Sequence, residues 1–72
     1  MKYKIGSPVR VKNWAEASKV DGFVKGMSPL CGKPAVVLKI ENKKSYKLRP
    51  MHVEDLSLDW DWYFTDDMLT EL

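Results

Sequence analysis

The sequence predicts a mainly β chain, folded as a small barrel of about five short antiparallel strands with one short helix after the first strand and a short helical turn near the C-terminus. Three observations predict it. Several stretches alternate apolar and polar residues with the period of a half-buried strand, polar turns separate them, and no long helical period persists anywhere. The chain has 72 residues, which is room for one core, so residues 1–72 are read as a single domain.

The opening run Ser7-Pro8-Val9-Arg10-Val11-Lys12 alternates apolar with basic residues and directs Val9 and Val11 inward. Asn13 stands where a helix N-cap would, with Glu16 after it, and Trp14 to Lys19 is expected to make a turn or two of helix that ends before Gly22. Val20 to Pro34 holds three glycines and two prolines without a sustained period. It is read as a long loop from which Phe23, Met27 and Leu30 dip into the core. Ala35 to Ile40 is the clearest strand, with Val36, Leu38 and Ile40 on one face and Ala35 and Val37 giving the other some apolar character. Glu41-Asn42-Lys43-Lys44 forms a polar turn in which asparagine tolerates the left-handed region. Ser45 to Arg49 then completes a hairpin, with Tyr46 and Leu48 inward. Pro50 ends that strand, and Met51 to Asp59 is a connection. Trp60-Asp61-Trp62-Tyr63-Phe64 reads as the last strand, both tryptophans and Phe64 facing in, and Thr65 to Leu69 as a capped helical turn that drops Met68 and Leu69 onto the core.

Charge is distributed unevenly. All twelve Lys and Arg residues lie in positions 1 to 49 beside only Glu16, Asp21 and Glu41, a balance of +9, while the residues from Pro50 onward carry seven acids and no base, −7. Such asymmetry either marks a partner-binding segment or disappears when the two halves interleave in one barrel. Cys31 has no partner for an internal disulfide, which fits a reducing compartment, and one cysteine with one histidine, His52, cannot furnish a four-ligand zinc site. Met1 to Ile5 is short, lysine-rich and followed by Gly6 and Pro8, so neither a signal core nor a membrane span is expected. The expected location is the cytoplasm.

Catalytic motifs do not emerge. Gly26 to Lys33 has glycine spacing one residue too long for a phosphate loop, and Pro34 stands where a metal-binding Ser or Thr is required. Cys31 and His52 have no third residue to orient them, and the carboxylate pairs Asp59/Asp61 and Asp66/Asp67 are accounted for by an outward strand face and by a helix start. A barrel this small offers little cavity in which a carboxyl could be raised for acid-base work. No enzyme activity, metal or cofactor is expected.

Three stretches carry a resemblance: Ile5-Gly6-Ser7-Pro8-Val9-Arg10-Val11-Lys12, Phe23-Val24-Lys25-Gly26-Met27-Ser28-Pro29-Leu30-Cys31-Gly32-Lys33, and Trp62-Tyr63-Phe64-Thr65-Asp66-Asp67-Met68-Leu69. Together they resemble small Src-homology-3-like (SH3-like) proteins encoded by bacteriophages and prophages. In these a glycine-led basic strand is followed by a tryptophan-bearing turn, a loop ending in Leu-Cys-Gly-Lys, a hydrophobic hairpin and a closing aromatic strand with Asp-Met-Leu. The sequence departs from that pattern in having Ser7-Pro8 where an acidic residue usually follows the glycine, and in a short Val20-to-Phe23 connection. The resemblance implies an SH3-like barrel, a viral origin, a bacterial host and an interaction role.

The expected function is accordingly that of a non-catalytic module binding a host or viral protein, with inhibition of a host defence enzyme of the restriction or CRISPR type, or of a replication enzyme, as the expected role. Its contact face would be acidic and aromatic: Trp14, Glu54, Asp55, Asp59, Asp61 and Tyr63, with leucines mixed among the carboxylates of the 54–59 loop. The alternative is a nucleic-acid-binding barrel in which Arg10, Lys12, Lys39, Lys47 and Arg49 form a basic stripe across neighbouring strands. Against it stand a net charge of only +2 and an acidic half lying within a Debye length or two, ~8 Å each, of the stripe. A virion structural subunit is the third possibility. The chain is expected as a monomer or a weak homo-oligomer.

Overall fold

The computed structural model describes residues 1–72. Four strands, β1 (Pro8–Val11), β2 (Pro34–Glu41), β3 (Ser45–Pro50) and β4 (Leu69–Glu71), form one antiparallel sheet in the order β3-β2-β1-β4. One short helix, α1 (Trp14–Ala17), follows β1, and 3-10 helices span Lys25–Leu30, Val53–Ser57 and Asp66–Met68. The architecture is the small, mainly β, barrel-like fold that the alternation predicts. None of its helices is long and apolar enough to cross a membrane.

The local chemistry explains most elements. Val9 and Val11 are fully buried and the residues between and beside them are not, as a one-sided strand requires. The Asn13 side chain accepts a hydrogen bond from the Glu16 N–H and thereby caps α1. Asn42 and Lys43 both occupy the left-handed region, with φ of 53° and 56°, and turn β2 into β3. The 20–34 loop is not shapeless: its centre winds into the 3-10 helix Lys25–Leu30, and Phe23, Met27 and Leu30 are buried as anticipated.

Three expectations are corrected. On β2 the inward residues are Ala35 and Val37, while Val36 and Ile40 are only partly covered and Leu38 is 55% exposed. Ala35 lies opposite the buried Val9, which fixes the inner face, and a bulge between Val37 and Lys39 then breaks the alternation. The stretch Trp60–Phe64 is not a strand; it touches the sheet through a single bridge between Phe64 and Tyr46. The closing strand is instead β4, which pairs Leu69, Thr70 and Glu71 with Val11, Arg10 and Val9. Asp66, assigned from sequence to the helix dipole, accepts hydrogen bonds from the Tyr46 hydroxyl and the Lys2 N–H.

Inside the curl, Val9, Val11, Ala35, Val37, Tyr46 and Leu48 from the sheet meet Phe64, Met68 and Leu69 from the C-terminal part and Tyr3, Ala17, Phe23, Met27 and Leu30 from the connections. Trp60 and Trp62 pack against this core while only partly buried. Tyr46 is fully buried, and its hydroxyl accepts the Tyr3 N–H at 2.9 Å while donating to Asp66, so one phenol ties the N-terminal segment to the far end of the chain.

Candidate interaction surfaces

The outer face of the sheet carries most of the cations expected to form a basic stripe. Because Val9, Val11, Tyr46 and Leu48 point inward, Arg10, Lys47 and Arg49 point outward, and the register places Arg49 opposite Val36 and Lys47 opposite Lys39. Lys12, two residues beyond Arg10, lines the same shallow depression as Arg10. Four of the five predicted cations thus lie on the outward side of the strands and Lys12 just beyond the end of β1, but they differ in what they can offer. Lys39 pairs with Glu41 at 2.8 Å, whose carboxylate raises the ammonium pKa, and Lys47 pairs with Asp61 at 2.6 Å and lies 4.1 Å from the centroid of the Tyr63 ring. Lys47 in turn holds the Asp61 carboxyl below its ordinary value by hydrogen bond and charge. Arg10, Lys12 and Arg49 take part in none of the three ion pairs of the chain.

The acidic face is built differently from the expectation. Asp55 is buried, only 7% exposed: its carboxylate pairs with Lys33 at 3.5 Å and its backbone carbonyl accepts the Trp60 indole N–H at 2.8 Å. It is therefore an anchor and not a contact residue. What it anchors is the 3-10 helix Val53–Ser57, and there Val53 is 77% and Leu56 61% exposed. Side chains three residues apart eclipse in a 3-10 helix, so these two stand side by side. Met51 is exposed just before them, Glu54 and Asp59 are exposed around them, and only Leu58 turns inward to the core. Asp61 and Tyr63 are exposed but engaged with Lys47, and Trp14, 44% exposed, packs on Phe23 with ring centroids 6.0 Å apart.

Sequence reasoning found Leu56, Glu54 and Asp59 but missed Val53 and Met51. The run Met51 to Leu56 has no period of two, and the signal that could have found them is the i, i+3 pair of aliphatics after a strand-ending proline. Cys31 is half-buried, and that burial pushes its thiol pKa up, away from a reactive thiolate. No set of three His, Cys, Asp or Glu side chains is grouped to hold a metal ion. No protein-family model matches the chain, and no curated protein or solved structure matches it significantly.

Proposed function

We propose that this chain is a non-catalytic protein-binding module that docks through the aliphatic pair Val53 and Leu56, extended by Met51 and rimmed by Glu54 and Asp59. The observation that carries this reading is the pair itself: two aliphatic side chains more than half exposed on a helical turn that the buried Asp55, through Lys33 and Trp60, holds to the body of the domain. A rigid apolar patch with a charged rim costs little ordering on association and selects its partner's orientation electrostatically. The resemblance to phage-encoded barrels supports a partner among host or viral proteins in the bacterial cytoplasm, with inhibition of a defence or replication enzyme as the role. Affinity capture from bacterial lysate with wild type, Val53→Asp and Leu56→Asp tests it. A partner retained by wild type and lost by both variants, with unfolding midpoints unchanged, is expected; a partner held equally by all three, or none beside tight binding of bare DNA, would sink the proposal.

The outer sheet face favours a second reading, nucleic-acid binding through Arg10, Lys12 and Arg49, the cations without carboxylate partners. Stacking support is weak there, since the exposed Tyr63 ring is already covered by Lys47. Duplex or single-strand binding that weakens steeply with salt, and that Arg49→Glu reduces, would place the function on that face.

A further inference from the structure

The depression beside Arg10 and Lys12 lies at one end of the basic face and is a more enclosed feature than the open strands around it. It has a volume of about 280 Å³ and is walled by Arg10, Lys12, Asn13, Glu16, Gly32 and Thr70, with Val11 the one hydrophobic lining residue. This is just under the ~300–1,000 Å³ of sites for drug-sized ligands, and every lining residue but Val11 and Gly32 carries a polar or charged side chain. Its donors are held in place. Arg10 Nη1 donates to the Gly32 carbonyl at 2.7 Å, which fixes the guanidinium plane while using one of its N–H groups. Thr70 is the direct cross-strand partner of Arg10 on β4, so its side chain stands on the same face of the sheet and lines the same depression. The cap bond of α1 uses only the side-chain oxygen of Asn13, leaving the NH2 group as a further donor. Lys12 is half-buried and forms no ion pair, although Glu16 lies in the same depression.

We infer that this depression binds the phosphate group of a small phosphomonoester. Two cations, one of them in a fixed fork, with a hydroxyl and an amide complement a dianion better than a single carboxylate charge, and the small volume leaves room for only a short remainder beside the phosphate. Glu16 sits against the anion and weakens it, which gives the site a signature: removal of a carboxylate should tighten binding here. A phosphodiester inside a nucleic acid carries one charge and must both enter and leave a depression that α1 bounds on one side, so it is the poorer occupant.

Titration of the isotopically labelled protein with inorganic phosphate at constant ionic strength, followed by amide chemical shifts, tests the site. Saturable shifts confined to residues 10–13, Gly32 and Thr70 are expected. Arg10→Gln and, without loss of any structural hydrogen bond, Lys12→Gln should each weaken binding about tenfold, the worth of one charge-assisted hydrogen bond. Arg49→Gln should leave it unchanged and Glu16→Gln should strengthen it severalfold. The inference is overturned if chloride or acetate reproduces the shifts, if a single-stranded oligonucleotide shifts the same amides at lower concentration, if Arg49→Gln weakens binding as much as Lys12→Gln does, or if Glu16→Gln fails to strengthen it. None of these outcomes depends on the protein partner of the Val53 and Leu56 patch.

Discussion

Ser45–Pro50 and Trp60–Phe64 carry the same alternation of inward apolar and outward polar residues, yet only the first is a strand. In β3 the backbone pairs along its length with β2, from Ser45 opposite Glu41 to Pro50 opposite Ala35. In 60–64 the amides find partners nearer home: the Asp61 N–H is taken by the Asp59 carboxylate at 2.9 Å and the Trp62 N–H by the Trp60 carbonyl at 2.8 Å. Only Phe64 is left to exchange bonds with the sheet, at 2.7 Å and 3.0 Å with Tyr46. Local side-chain and turn bonds compete with ladders, and here they win because an aspartate precedes the aromatic run. Alternation thus reports which way side chains point, and it does so correctly in both segments. It does not report where the backbone bonds go.

Beyond one bridge and the side-chain bonds of Trp60 to the Asp55 carbonyl and of Asp61 to Lys47, packing holds the 60–64 segment, so its single fully buried residue should carry most of its worth. Phe64→Ala is expected to cost about 3–5 kcal/mol, against a total of roughly 4–11 kcal/mol for a domain of this size. Urea unfolding followed by tryptophan fluorescence would show a transition displaced to very low denaturant or an unfolded chain. A loss under about 1 kcal/mol would mean that the segment is merely draped on the barrel and that the hairpin half is stable without it.

The partner of that bridge makes the next largest prediction. Tyr46→Phe removes a hydroxyl that the buried Tyr3 amide donates to and that donates to Asp66, and leaving these groups unpaired should cost about 1–3 kcal/mol. Burial first, and then the hydrogen bond to Asp66, raise the Tyr46 pKa. A folded-state value above the unfolded one means stabilisation fully present below the unfolded value, about 10 for tyrosine, and lost as pH rises toward the folded value. The stability gap between wild type and Tyr46→Phe should therefore stay constant through neutral pH and shrink only in the alkaline range. A gap that closes near neutrality would show that the phenol is not held as described.

How far the sequence was legible follows from the same contrast. Strand β1, the α1 cap, the 42–43 turn and the inward positions 23, 27, 30, 46 and 48 could all be read, because each rests on local chemistry or on period. The closing strand β4 could not. Three residues, Leu69-Thr70-Glu71, show no period, and they extend only because β1 offers a free edge. At the candidate surfaces, residue type was legible and pairing was not. Asp55 looks like its neighbour Glu54 in sequence, and only the folded chain puts Lys33 and the Trp60 indole around it. Lys39 and Lys47 likewise looked like free cations until the fold set Glu41 and Asp61 against them.

Gly26→Ala sharpens the claim that contact anchors the aromatic segment. A β-carbon built there lies 3.0 Å and 3.1 Å from Cη2 and Cζ2 of Trp62, so the indole must give by a few tenths of an ångström. Replacing glycine by alanine at a permissive position ordinarily gains about 0.4–1 kcal/mol by restricting the unfolded chain, whereas crowding a packed site costs about 1–3 kcal/mol. A net loss of about 1 kcal/mol is the expected sum, with a shift in tryptophan emission. Against a Trp62→Phe background the same substitution should become neutral or stabilising. Equal effects in both backgrounds would remove Trp62 from the explanation.

The smallest effect belongs to the regular half. Lys43 sits at φ 56° beside Asn42 at φ 53°, and a left-handed conformation costs a side-chain-bearing residue about 1–2 kcal/mol. Asparagine offsets part of that cost through its own polar side chain, but lysine has no such means. Lys43→Gly yields the Asn-Gly pair preferred in tight hairpins, and glycine's extra unfolded-state entropy returns about 0.5–1 kcal/mol of the gain. A net stabilisation of about 0.5 kcal/mol, read as a small rise in urea midpoint at unchanged slope, is expected. If the variant is less stable than wild type by more than that, the turn is not the strained element of the hairpin, and the strength of β2–β3 pairing lies wholly in the ladder that the 60–64 segment lacks.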